Sequence, residues 1–261
     1  MSMKNLRKYG GSPFDVAVVH GGPGAPGEMA PVARELASVR GVLEPLQMAT
    51  TLEGQVRELR VVLEKDGALP VTLIGFSWGA MLGFMLSARY PALVKKLVLI
   101  GSATYEDKYA ADITVTRLSR LSEEERVEVL SLADNLDTPA TGDKSALMAR
   151  LGELMARADL YDPLPYDNEV LEYQYDTYQR VWGKARELRK HGEFLELGKR
   201  IRCPVVAIHG DYDPHPAAGV RDSLAPIIKD FRFILLEKCG HYPWRERAAR
   251  DRFYNILKSE I

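Results

Sequence analysis

Neither long apolar runs nor charge of one sign mark this chain. No apolar stretch in its 261 residues reaches the roughly 18 that a membrane-crossing helix requires. Its 35 basic and 36 acidic residues cancel to a formal charge of −1, without a Lys/Arg run of the kind that binds nucleic acid. Nucleic acids and membranes are therefore not expected as partners. The opening stretch MSMKNLRKYGG lacks the apolar centre of a secretory signal. Cysteine is scarce too: Cys203 opens one strand-like run and Cys239 lies just past another. In parallel strands these two thiols fall at opposite edges of the sheet, too far apart to bridge. Unpaired thiols suit a reducing compartment, and a cytoplasmic location is expected.

What is present is a series of short runs rich in Val, Ile and Leu: Val16–Val19, Val71–Ile74, Leu93–Ile100, Val205–Ile208 and Phe231–Leu236, with a weaker one at Val42–Leu46. Each is too short for a helix and apolar on both faces, the pattern of strands covered on both sides of a parallel sheet. Between them Val32, Leu36 and Val39 mark one helix, and Leu52, Val56, Leu59 and Leu63 a second with Thr51 as N-cap. Ser77 to Tyr90 is apolar nearly all round and predicts a buried central helix. Strand and helix in alternation give an α/β fold with a mostly parallel sheet.

The alternation stops between Ser102 and Phe194, where the patterns are helical only. Ser122 and Glu125 predict a capping box ahead of Val127 and Leu130. Asp143 is placed to cap a helix carrying Leu147, Leu151 and Leu154, and Leu171, Tyr175, Tyr178 and Trp182 keep helical spacing. Such an insertion predicts a helical cap over the C-terminal edge of the sheet, where α/β folds bind ligands.

Three distant stretches complement one another chemically. LIGFSWGA places Ser77 between a strand and a helix as Gly75-x-Ser77-x-Gly79, a turn too tight for Cβ atoms on either side of an exposed hydroxyl. The next N–H, that of Trp78, then points toward a developing oxyanion. A nucleophilic serine needs a base, and the base needs an acid. Of the five histidines, His241 in EKCGHYPW follows the last strand and falls over Ser77. Asp213 lies deep enough in the loop of VVAIHGDYDPHP to reach His241, whereas Asp211 sits where turn hydrogen bonds form. His215 is the fallback base. His209, Asp211, Asp213 and His215 alternate, but a single proline-broken loop makes a poor metal cage, and no metal is expected.

The stretch VVHGGPGAPG admits two readings. Gly22, Gly24 and Gly27 satisfy the G-x-G-x-x-G of a dinucleotide cradle, with Glu44 about where a ribose-binding acid belongs. That would make the protein an oxidoreductase. Yet Pro23 and Pro26 have no N–H in the loop that should hold the pyrophosphate. An oxyanion hole asks only for the N–H of Gly22 and the bend of Pro23, and this second reading also uses Ser77, Asp213 and His241.

HGGPG, GFSWG, GDYDPHP and GHYPW, each after a strand-like run, give a chain that resembles the α/β-hydrolases over nearly its whole length. The resemblance implies a core of residues 1–103 and 196–261 with a cap at 104–195. It also implies a triad in which Ser77 attacks, His241 is base and then acid and Asp213 orients it, with Gly22 and Trp78 N–H groups as oxyanion hole and no cofactor. HGGPG with Trp directly after the serine resembles the proline iminopeptidase branch, whose members hold a free amine with cap carboxylates. Glu169, Glu172 and Asp176 fall at i, i+3, i+7 in the cap, the spacing of one helix face, for which solvation is the simpler role. Phe76 departs from that branch's glycine, and GHYPWRE resembles esterases and carbon–carbon bond hydrolases as much as peptidases.

The expected reaction is cleavage of a small-molecule or short-peptide ester or amide. A ligand receptor on the same fold is the alternative. Phe76, Tyr175 and Tyr178 are the candidates for substrate contact, in competition with plain packing, as is Trp78 beside the serine. His20 is read as fixing the glycine turn, and Trp244 and Glu246 as anchoring a final helix from Arg245 to Leu257.

Overall fold

The computed structural model describes residues 5–138 and 142–261, so the first four residues of the chain lie outside it. Its centre is a seven-stranded sheet in the order β1-β3-β2-β4-β5-β6-β7. The strands are β1 (Leu6–Tyr9), β2 (Phe14–Val19), β3 (Gly41–Pro45), β4 (Val71–Phe76), β5 (Val94–Ile100), β6 (Val205–Gly210) and β7 (Phe231–Leu236). Every neighbouring pair is parallel except β1 with β3. The apolar runs thus locate six strands, and the seventh, β1, is a four-residue antiparallel edge. Being short and half polar, it carries no period that the sequence could reveal. Strand β7 corrects the expectation of burial on both faces. It is the opposite edge, and Arg232 and Leu235 face solvent.

Helices cover both faces of the sheet, as their apolar stripes require. On one face lie α2 (Leu52–Asp66) and α3 (Trp78–Arg89), on the other α1 (Ala30–Leu36) and, at the end of the chain, α10 (Arg250–Glu260). Thr51 caps α2 by accepting from the Gly54 N–H. Helix α3 is buried from Trp78 to Ala88, as its nearly unbroken apolar sequence demands. Val39 is not part of α1, which ends at Leu36, and its side chain is exposed.

Between β5 and β6 the chain forms the inserted helices α4 (Ile113–Ser119), α5 (Glu123–Asp137), α6 (Lys144–Asp159), α7 (Tyr175–Lys190) and α8 (Glu193–Gly198), followed after β6 by α9 (Ala218–Leu224). The Ser122–Glu125 capping box is formed, and Asp143 accepts from the N–H groups of Ser145 and Ala146. Two expectations fail here. Val127 and Leu130 are exposed, and the buried stripe of α5 is Val129, Leu132 and Leu136. Leu171 precedes α7 and is exposed, so the stripe from Leu171 to Trp182 is only partly helical. No helix among the described residues is long and apolar enough to cross a membrane. Both cysteines are free, as their separation predicts.

Candidate active site

Strand β4 ends at Phe76 and α3 begins at Trp78, which leaves Ser77 alone to make the turn at φ 51°, ψ −111°. This backbone is costly for an L-residue and persists because its surroundings fix it. The Ser77 N–H donates to Ile100 O at 2.9 Å. A Cβ on Gly75 would come within 2.2 Å of Gly79 O, and one on Gly79 within 2.2 Å of Val19 O. Both glycines are therefore required by the close passage of α3 over the sheet. Ser77 lines a cavity of about 650 Å³ between sheet and cap, together with Gly22, His215 and His241. The N–H groups of Gly22 and Trp78 donate to no protein acceptor among the described residues.

The loop after β6 brings Asp213 under two imidazoles. Its Oδ2 lies 2.7 Å from His241 Nδ1, and its Oδ1 accepts from the His215 N–H at 2.9 Å and meets His215 Nδ1 at 2.8 Å. With Asp213 ionised, both rings carry their proton on Nδ1 and present a bare Nε2. Burial alone would raise the Asp213 pKa, but His241, His209 and His215 outweigh it and hold the carboxyl well below its usual range. For His241, burial favours the neutral ring, yet the Asp213 carboxylate wins and holds its pKa above that of an ordinary histidine. His215 goes the other way: burial exceeds the help from Asp213, and its pKa falls to about 4. Asp211 is placed apart, with Oδ1 accepting from the Cys239 N–H at 3.1 Å. No hydrogen bond joins Ser77 Oγ to His241 among the described residues. Both line one cavity, and such bonds are commonly long before a substrate closes them.

Several further groups hold His241 in place, and of these the sequence singles out only Glu246, in another role. Its N–H donates to Asp159 O at 2.7 Å, and the Asp159 carboxylate takes a two-pronged bond from Arg117 of the cap at 2.7 and 2.6 Å. Glu246, fully buried, accepts from the N–H groups of Gly240, Tyr161 and Asp162, and so ties the His241 loop to the insertion rather than merely anchoring the final helix. That helix is also shorter than expected, since residues Pro243–Arg245 form a separate 3₁₀ turn before α10. Gly101, at φ 48°, lies against the ring: a Cβ there would stand 3.1 Å from His241 Nδ1. Asp159, Arg117 and Gly101 are all far from His241 in sequence, which hid them.

The glycine loop leaves no open cradle for a dinucleotide beside Gly24 and Gly27. Gly22, Gly24 and Gly27 all have positive φ, but the loop faces protein. Gln174 N–H donates to Gly24 O at 3.0 Å and Leu171 N–H to Pro26 O at 2.8 Å, and a Cβ on Gly24 or Gly27 would strike Gln174 O or Glu169 O. The cap backbone occupies the place a pyrophosphate would need. Glu44 is likewise spent, buried and bonded to the Tyr9 hydroxyl at 2.7 Å. Beside the loop, Glu28 accepts from the Gly21 N–H at 2.9 Å and lines the cavity; burial pushes its pKa up to about 7. His20 is buried, with Nδ1 2.8 Å from Gly21 O, and does not line the cavity.

Phe76, Tyr175 and Tyr178 line the cavity, although the Tyr175 hydroxyl is bonded to Leu136 O at 2.8 Å. Trp78 does not: its indole is buried beside α2, with Nε1 donating to Gln55 Oε1 at 2.8 Å. The row of Glu169, Glu172 and Asp176 is not a helix face, since α7 starts at Tyr175, and Glu169 pairs with Arg34 in two hydrogen bonds. Asp213, His215 and His241 form the one cluster with metal-like proximity among the described residues. Their contacts are those of hydrogen bonds from imidazole Nδ1 to carboxylate, which place a proton on each nitrogen that faces Asp213.

Residues 48–246 match the family described as the alpha/beta hydrolase fold. A proline iminopeptidase of Lactobacillus delbrueckii subsp. lactis is 24% identical over 258 residues, covering 89% of this chain and 85% of that protein. Among solved structures, VinJ superposes with a TM-score of 0.66 at 19% identity, over 98% of this chain and 93% of its own. Est816, described as an N-acyl homoserine lactone degrading enzyme, gives a TM-score of 0.64 at 14% identity, over 98% and 96%.

Proposed function

The chain belongs to the α/β-hydrolase fold family and is an enzyme of hydrolase type, and from that premise we propose that it cleaves small ester or amide bonds through an acyl-enzyme on Ser77. The observation that carries this reading is the 2.7 Å contact between Asp213 and His241 Nδ1, which leaves the His241 Nε2 bare in the cavity shared with Ser77. In this scheme His241 takes the Ser77 proton as the oxygen attacks the acyl carbon. The N–H groups of Gly22 and Trp78 stabilise the oxyanion, aided by the start of α3. The imidazolium then protonates the leaving group, and water activated by the same ring releases the acid.

Ester and peptide substrates use the same apparatus and differ in what the cavity holds. The test is turnover of p-nitrophenyl acetate beside prolyl- and alanyl-naphthylamide. Hydrolysis of the ester alone assigns an esterase, preference for the aminoacyl amides a peptidase, and no turnover of any counts against the proposal. The pH dependence follows from sign. Only neutral His241 can accept the proton, and Asp213 keeps it protonated to higher pH than usual, so kcat/KM is expected to climb through an inflection above 6.5. An inflection well below that value contradicts the assignment of His241 as base.

Gly101 supplies a second check that leaves the reacting groups intact. Gly101→Ala puts a methyl against the His241 ring, and a displacement of about 1 Å at a catalytic group can cost about 10²-fold in rate. Gly183→Ala, in α7 with nothing within 4 Å of its Cβ position, is the control and is expected to leave the rate unchanged. Equal rates for both variants, with unchanged circular dichroism, would show that the Gly101 contact does not set the ring.

A further inference from the structure

Four arginines line the cavity: Arg117, Arg150, Arg157 and Arg245. The first three are neutralised. Arg117 is bonded to Asp159, Arg150 to Glu128 and Arg157 to Glu125. Arg245 has no carboxylate in salt-bridge range among the described residues, and its Nε is buried without a hydrogen-bond partner. Its position is nevertheless fixed. The guanidinium carbon lies 4.1 Å over the Tyr166 ring and 5.1 Å over the Tyr242 ring, and both tyrosines also line the cavity. Its own N–H and carbonyl are held by Tyr242 O and the Leu164 N–H.

An unpaired, partly desolvated guanidinium is expensive, and its planar fork is matched by a carboxylate that accepts two parallel hydrogen bonds. The acid in its field, Glu28, does not serve as that partner, because its carboxyl is turned to the Gly21 N–H. Burial, which pushes the Glu28 pKa to about 7, further weakens it as a counter-charge. The tyrosine rings orient the fork without neutralising it.

We propose that Arg245 is a subsite for a carboxylate carried by the substrate, so that this chain favours esters or amides whose acyl part ends in an anion. The inference rests on the hydrolase reading for the reaction, though not for binding. Tyr242 packs against both groups, its ring centre 5.2 Å from that of His241 and 5.1 Å from the Arg245 guanidinium carbon, so the guanidinium stands within about 10 Å of the His241 ring, in reach of a short methylene chain. A monocarboxylate fits better than a phosphate dianion, since the other cavity arginines are already paired.

The test compares mono-p-nitrophenyl adipate with its neutral methyl ester on the wild type, Arg245→Gln and Arg245→Lys, with circular dichroism to verify folding. The wild type is expected to favour the anionic ester by at least about tenfold in kcat/KM, as two charge-assisted hydrogen bonds imply. Arg245→Gln is expected to erase that ratio and Arg245→Lys to retain part of it. Equal use of the two esters by the wild type, or a preference that survives in Arg245→Gln, overturns the proposal. Calorimetry of adipate binding to the same proteins separates this idea from the hydrolase reading. If neither ester is cleaved, hydrolysis is in question, while weaker adipate binding by Arg245→Gln still supports the subsite and no binding by the wild type refutes it.

Discussion

Ser77→Ala is expected to lower kcat/KM for an ester by about 10⁴- to 10⁶-fold and to abolish labelling by a fluorophosphonate, with the fold unchanged. The size of the loss follows from what is removed and what is left. Without the hydroxyl no acyl-enzyme forms, but the N–H groups of Gly22 and Trp78, which donate to no acceptor among the described residues, remain, so some acceleration over water is expected to persist. Stability is expected to change by no more than about 0.5 kcal/mol. The hydroxyl has no hydrogen-bond partner among the described residues, and alanine keeps the Cβ, so the unusual φ of 51° is neither relieved nor worsened. Thermal melting separates this outcome from unfolding. Labelling that persists in Ser77→Ala would move the nucleophile elsewhere and remove the basis of the proposed mechanism.

Asp213→Asn is expected to cost about 10³- to 10⁴-fold, whereas Asp211→Asn should stay within about threefold. The difference lies in acceptor counting. Asp213 receives imidazole protons on both oxygens, one from His241 and one from His215. An amide offers one oxygen and one NH₂, so whichever ring meets the NH₂ must move its proton to Nε2. If that ring is His241, it can no longer accept from Ser77. If it is His215, His241 still loses the anion that stabilises its charged form, and the inflection in kcat/KM is expected to shift to lower pH. Asp211 accepts a single N–H from Cys239 through Oδ1, which asparagine can do equally well. Steady-state kinetics of the two variants over a pH range checks both statements, and a larger loss at Asp211 reverses the roles.

The fold and the centre of the site were legible for one reason: each motif is a local event at a strand end. An elbow at Gly75-Ser77-Gly79 states its own geometry, because only glycine tolerates those approaches, and the loops after β6 and β7 inherit their positions from parallel neighbours. What stayed hidden depends on contacts between distant segments. Val127 and Leu130 carry a helical period, yet α5 turns Val129 and Leu132 inward, because the direction of the core is set by α6 and not by α5 itself. Glu28, Asp159 and Arg117 belong to no local motif, and Arg245 reads only as the start of a final helix; their places at the cavity depend on the cap folding back over the sheet. Gly24 and Gly27 fit a dinucleotide motif that the prolines already speak against, and the protein's own backbone fills the space beside them.

That last arrangement makes one stretch of main chain serve two tasks. Gly22 lines the cavity and its N–H donates to no acceptor among the described residues, while two and four residues onward the carbonyls of Gly24 and Pro26 are hydrogen-bonded to the segment just before α7. Prising the insertion upward would break those seams and slacken the peptide that carries Gly22. Admission of a ligand by that route and displacement of the Gly22 peptide are therefore mechanically linked, so an opening that spares Gly22 has to part at the far rim and keep the glycine side as its hinge.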